Sequence, residues 1–122
     1  MGLSASELRI GNLISDINGN LCLVKTIRED LIIAKYYDVG YCIGDKEQFN
    51  KVELTEELLL KFGFKYDKEF DIYFIDDFAI RGNDFVLCDI DIEVKFEYVH
   101  RLQNAYFELK NKELCYNFVI TK

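Results

Sequence analysis

An α+β fold is the reading that this 122-residue sequence supports, and three observations carry it. The first half consists of short, closely spaced apolar runs punctuated by Asn18-Gly19, Gly40 and Gly44. Two segments, one starting at Thr55 and one near Glu97, change to the three-and-four spacing of amphipathic helices. Strand-like runs lie between and after them, at Phe70 to Ile75, Phe78 to Arg81, Cys88 to Phe96 and Leu114 to Ile120. The expected architecture is a small N-terminal β-rich part, SH3-like or a curled sheet. It is followed by a helix, antiparallel strands, an amphipathic helix and a C-terminal strand. No repeat, linker or low-complexity stretch interrupts the chain, so residues 1–122 read as one domain. Two lobes, 1–53 β-rich and 54–122 α+β, are the alternative division.

Each element has a local reason. Leu8 to Ile14 and Leu21 to Thr26 flank Asn18-Gly19, a pair that tolerates positive φ and so favours a tight hairpin. Asp30 to Tyr37 and Val39 to Ile43 are the next strand candidates. Thr55 is a good N-cap, and Glu56 and Glu57 fall in the first helical turn, where the dipole favours acids. Lys61 follows in the last turn and Gly63 at the left-handed position beyond it, with Leu58, Leu59 and Phe62 on one face. Cys88 to Phe96 alternates apolar and polar for nine residues, which predicts five inward apolar side chains with Asp89, Asp91, Glu93 and Lys95 outward. From Glu97 to about Lys110, Val99, Leu102, Tyr106 and Leu109 predict a helix, with His100, Gln103, Asn104 and Phe107 on a neighbouring stripe.

Composition excludes several classes. Half the residues are hydrophobic and 15% aromatic, which is incompatible with disorder. The longest apolar runs reach three or four residues, far short of the ~20 of a membrane span. Met1 to Ile10 lacks the basic and apolar regions of a secretory signal, so a cytoplasmic location is expected. Cys22, Cys42, Cys88 and Cys115 form no C-x-x-C pair, and His100 is the single histidine, so buried reduced thiols are expected rather than a zinc site or a disulfide framework.

The net charge of −7 is not spread evenly. Between Asp67 and Glu93 stand nine acids and two bases, whereas the rest of the chain holds 13 of each. An acidic protein is poorly suited to docking on phosphates, so direct DNA binding is not expected. Carboxylates on alternate residues of a strand recur every ~6.6 Å. Asp76, Asp77, Asp89, Asp91 and Glu93 are therefore the candidate contacts for a positively charged partner. Tyr36, Tyr37, Tyr41 and His100 are secondary contact candidates, tyrosine providing rigid contact area.

Two other chemistries match parts of the sequence. Helix, three strands, helix and strand, with Glu93-Val94-Lys95 and an upstream Asp77 or Asp84, matches the order of a PD-(D/E)xK nuclease core, in which carboxylates hold Mg²⁺. The proline of that motif is missing, and the acidic charge opposes a nucleic-acid substrate. A sponge for a signalling nucleotide would use Tyr36, Tyr37 and Tyr41. Gly40-Tyr41-Cys42-Ile43-Gly44 lacks the lysine and following helix of a phosphate loop, and no cofactor or metal is expected.

Three blocks carry a resemblance. They are Glu7-Leu8-Arg9-Ile10-Gly11-Asn12; Leu54-Thr55-Glu56-Glu57 running into Lys61-Phe62-Gly63-Phe64; and Tyr98-Val99-His100 followed by Leu102-Gln103-Asn104 and Tyr106-Phe107. Together they resemble a family of small uncharacterised proteins frequent in Bacteroidetes genomes, phages and mobile elements. Leu58 stands where many members have tryptophan and Lys112 where glycine is common. The resemblance supplies no catalytic residues; it implies a phage or mobile-element accessory protein acting inside a bacterium. Such small acidic proteins often bind host defence proteins, anti-CRISPR proteins being the best-known class. The expectation is a non-enzymatic inhibitor of a defence nuclease, with an RNA-guided nuclease or its guide-RNA complex as partner and no membrane.

Overall fold

The hairpin signal at Asn18-Gly19 sets the first turn of the protein. The computed structural model describes residues 7–29, 31–37, 39–88 and 93–116. In it, β1 (Leu13–Asp16) and β2 (Leu21–Arg28) pair antiparallel with Ser15 opposite Leu21. Asp16 N–H donates to the Asn20 carbonyl and Gly19 N–H to that of Asp16, leaving a three-residue loop with Gly19 at φ +89°. The tight hairpin expected here has this longer loop, which the Asp16 carboxylate supports by accepting the backbone N–H groups of both Asn18 and Asn20, at 2.9 Å each.

Next come β3 (Leu31–Tyr36), β4 (Tyr41–Gly44) and a short β5 (Phe49–Asn50), giving a five-stranded antiparallel sheet ordered β4-β3-β2-β1-β5. The register shifts between Val24 and Thr26, a bulge that helps the sheet curl. Its inner face buries Ile14, Cys22, Val24, Ile32, Ala34 and Phe49. A 3₁₀ turn at Lys46–Gln48, capped by Asp45, leads from β4 to β5.

The described residues fall into two compact units, Met1–Glu53 with Tyr98–Glu113 and Leu54–Glu97 with Leu114–Lys122. The amphipathic helix, α2 (Val99–Lys110), thus belongs to the unit of the five-stranded sheet, although the sequence order had grouped it with the 54–122 lobe. Chain order does not reveal which sheet a helix covers; α2 packs on β1.

In the second unit, α1 (Glu56–Lys61) forms as its sequence predicts. Thr55 Oγ1 accepts the Leu58 N–H at 3.3 Å, and Gly63 takes φ +99° just after the helix. Leu59 and Phe62 are buried, and the Phe62 ring meets Tyr116 edge-on at 5.1 Å. A three-stranded antiparallel sheet follows: β6 (Lys65–Asp67), β7 (Ile72–Ile75) and β8 (Phe78–Arg81). β6 escapes sequence detection because it is three residues long and two of its side chains are exposed. Phe64, Phe78 and Phe96 form a row of aromatic contacts at 6.2 and 6.4 Å.

The straight strand expected from Cys88 to Phe96 is not what the structure holds. Leu87 N–H donates to the Val94 carbonyl at 2.8 Å, Phe96 N–H to that of Phe85 at 3.0 Å, and Val86 pairs with Lys95. In a straight strand Cys88 and Val94 would stand ~20 Å apart. Cys88 and Val94 are exposed rather than inward, and of the predicted inward set Phe96 is the described residue that is buried. Ile90 and Ile92 lie outside the described residues, as does most of the strand expected at Leu114 to Ile120; Leu114–Tyr116 is irregular. No helix among the described residues is long and apolar enough to cross a membrane.

Candidate functional site

The second unit carries most of the charge. Its sequence holds 12 acids against 6 bases, a net −6, while the first unit holds 10 against 9, a net −1. Strand register divides these acids between the two ends of the sheet. Ile75 pairs with Phe78, so Asp76 and Asp77 form the β7–β8 turn, both exposed, with Asp76 at φ +54°. Cys88 N–H donates to the Ala79 carbonyl at 2.9 Å, and Leu87 is bonded to Val94. Each bond carries the register one strand further, which brings exposed Glu93 to the same end as the Asp76-Asp77 turn. Three of the five predicted contacts, Asp76, Asp77 and Glu93, therefore share an end. Asp89 and Asp91 lie outside the described residues.

At the opposite end, acids are held in local structure. Asp67 Oδ1 accepts the N–H groups of Glu69 and Phe70, and Asp71 accepts the Tyr66 hydroxyl at 2.6 Å. Asp84 forms a two-point ion pair with Arg81 at 3.0 and 2.8 Å, which holds its carboxyl below the usual range. Asp84, one candidate for the upstream acid of a nuclease, is thus a turn-building residue at the end away from Glu93, while Asp77 shares the end of Glu93. The order expected for that core is also altered, because α2 belongs to the other unit. Among the described residues, no three His, Cys, Asp or Glu side chains converge as a possible metal set.

The tyrosines do not make one surface. Tyr36 lies on the inner side of the first sheet, where its hydroxyl donates to Asp16 Oδ2 at 2.8 Å. Burial raises the Asp16 carboxyl, but bonds from Asn20, Tyr36 and Asn18 outweigh it and hold the group below its ordinary value. Tyr36 is half-buried, and its hydroxyl is engaged in the structure of the first sheet. Tyr41 lies across from Lys35 on the other face, exposed, with the Lys35 ammonium 5.5 Å from its ring, and Tyr37 is exposed beside the β3–β4 connection.

His100 is corrected from contact candidate to core residue, since its side chain is 0% exposed. Nε2 lies 2.7 Å from Glu7 Oε1, so the neutral ring donates through Nε2, and Nδ1 is buried without a partner among the described residues. Burial lowers the His100 pKa, and the Glu7 bond only partly opposes it. For Glu7, burial raises the carboxyl, yet the His100 bond and the charges of Arg101 and Lys51 hold it below its ordinary value.

The rest of the stripe explains where this polarity goes. Gln103 Oε1 accepts the Leu13 N–H at 2.8 Å, and its Nε2 donates to the Gly11 carbonyl at 3.0 Å. One carboxamide thus bonds the start of β1 as a neighbouring strand would, since β5 pairs with β1 only at Ser15 and Asp16. Asn104 Nδ2 donates to the Glu7 carbonyl, its Oδ1 accepts from Asn12 Nδ2, and Asn12 Oδ1 accepts the Arg9 N–H. Arg9 closes the set: its guanidinium stacks 3.7 Å from the Phe107 ring centroid and pairs with Glu113 at 2.6 Å. Two of the three sequence blocks, Glu7–Asn12 and Tyr98–Phe107, are therefore the two halves of one polar lock.

All four cysteines are free thiols. Cys22 is buried, which pushes its pKa up to about 12, whereas Cys88 and Cys115 are exposed, contrary to the expectation of burial. No protein-family model matches the chain, and no curated protein or solved structure matches it.

Proposed function

We propose that this chain is a non-enzymatic accessory protein of a phage or mobile element that binds and inhibits a bacterial defence nuclease in the host cytoplasm. The observation that carries this reading is the concentration of charge in one unit, with Asp76, Asp77 and Glu93 exposed at one end of its sheet. RNA-guided nucleases hold nucleic acid in basic channels, and an acidic element complements such a channel. The resemblance to Bacteroidetes phage and mobile-element proteins supports the same cellular setting. The lock buries His100 and Gln103 of one block of that resemblance, whereas Asp76, Asp77 and Glu93 are exposed to a partner.

The test is target-plasmid cleavage by a panel of purified RNA-guided nucleases loaded with guide RNA. The protein should suppress cleavage by at least one of them, more strongly at low salt. The D76K/D77K/E93K variant, checked for native circular dichroism, should lose that suppression at least tenfold, and adding D89K/D91K should remove what remains. Full inhibition by the charge-reversed protein would exclude the acidic end.

A further inference from the structure

We infer that β4 is a self-association edge, on which two copies of this chain pair antiparallel with Cys42 opposite Cys42 of the second copy, joining two five-stranded sheets into one.

The register of β4 on β3 determines which backbone groups face outward. Tyr36 N–H donates to the carbonyl of Gly40, directly opposite it. Hydrogen-bonded and non-bonded pairs alternate in an antiparallel ladder. Cys42 and Gly44, paired with Ala34 and Ile32, therefore direct their amide groups at β3. Tyr41 and Ile43, paired with Lys35 and Ile33, direct theirs at the outer edge, where β4 is terminal in the strand order.

Edge strands of monomers are commonly guarded by shortness, lysine, proline or a bulge. β5, at the other edge of the sheet, is two residues long, and β6, an edge of the second sheet, carries Lys65 and Asp67. β4, four residues long, carries no lysine, proline or bulge, and its outward side chains are Tyr41 and Ile43, 58% and 60% exposed.

One register satisfies both free residues at once. With Cys42 on the two-fold axis, Tyr41 of each copy exchanges both backbone hydrogen bonds with Ile43 of the other. The same alignment makes an aromatic–β-branched cross-strand pair twice on the outer face. The contact is small. A tyrosine side chain carries ~150–250 Å², so Tyr41 and Ile43 with exposed Tyr37 and Val39 beside them bring roughly 400 Å² per copy. The total, roughly 800 Å², is below the standard interface and marks a weak, concentration-dependent dimer.

Sedimentation velocity on the C88S/C115S protein, up to about 1 mM, tests the pairing, the exposed thiols having been removed. A dimer should grow with concentration, and I43K or Y41E should remain monomeric with unchanged circular dichroism. Diamide, which takes two electrons and two protons from a thiol pair, should trap a covalent dimer that C42S prevents. A monomer at every concentration, or dimerisation of both edge variants at the level of the parent, overturns the interface. A dimer that diamide leaves uncrosslinked overturns the Cys42-centred register.

Discussion

Gln103 is the residue through which a helix side chain completes a strand. Replacing it by leucine leaves the Leu13 N–H and Gly11 carbonyl buried without their carboxamide partner, each at about 1–3 kcal/mol. Urea unfolding of Gln103→Leu should show a loss of roughly 2–4 kcal/mol with the slope unchanged. His100 makes a different prediction. Its pKa is lowered in the folded state, so the unfolded chain takes up the proton first as pH falls. The stability it contributes is complete above the unfolded value of ~6.5 and declines as pH drops below it. Glu7, also lowered, adds a second loss as pH falls below the carboxylate range. Chemical unfolding at pH 7.5 and 5.5 should show the upper loss in wild type and its absence in His100→Asn. The helical spacing of His100, Gln103, Asn104 and Phe107 was legible in the sequence. Their destination was not, because the Gln103 partners are about 90 positions away and no local periodicity encodes such a pairing.

At the scale of elements, α1 was legible because its signals are local: cap, first-turn acids, last-turn lysine and terminal glycine all act within a few residues. Thr55→Ala should cost about 1 kcal/mol, and Gly63→Ala, at φ +99°, about 1–2 kcal/mol; thermal melts of the two single variants check both. The Cys88–Phe96 segment shows where local pattern misleads. Its alternation satisfies the strand period, yet Lys95 within it pairs back with Val86, which precedes it. Periodicity reports which residues suit a pleated surface and not where the chain reverses. Similarly, Asn18-Gly19 marked the turn but not its length, a longer loop that Asp16 supports through its two backbone hydrogen bonds.

For the whole molecule, the sequence located the charge and the structure distributes it. The net −6 of the second unit divides between the two ends of its sheet, with Asp67, Asp71 and Asp84 at one and the exposed Asp76, Asp77 and Glu93 at the other. Counting charges could not separate these groups, because both have the same composition and differ only in strand register. The chemistry of the first unit is directed inward, at the lock between α2 and Glu7–Leu13, so disrupting the lock should change stability more than partner binding. The most direct test of the central claim compares the inhibition constants of wild type and D76K/D77K/E93K against the RNA-guided nuclease most sensitive to wild type, at low and high salt. The account predicts salt-sensitive inhibition by wild type and at least a tenfold weaker constant for the folded variant. Equal constants for the two proteins would contradict it.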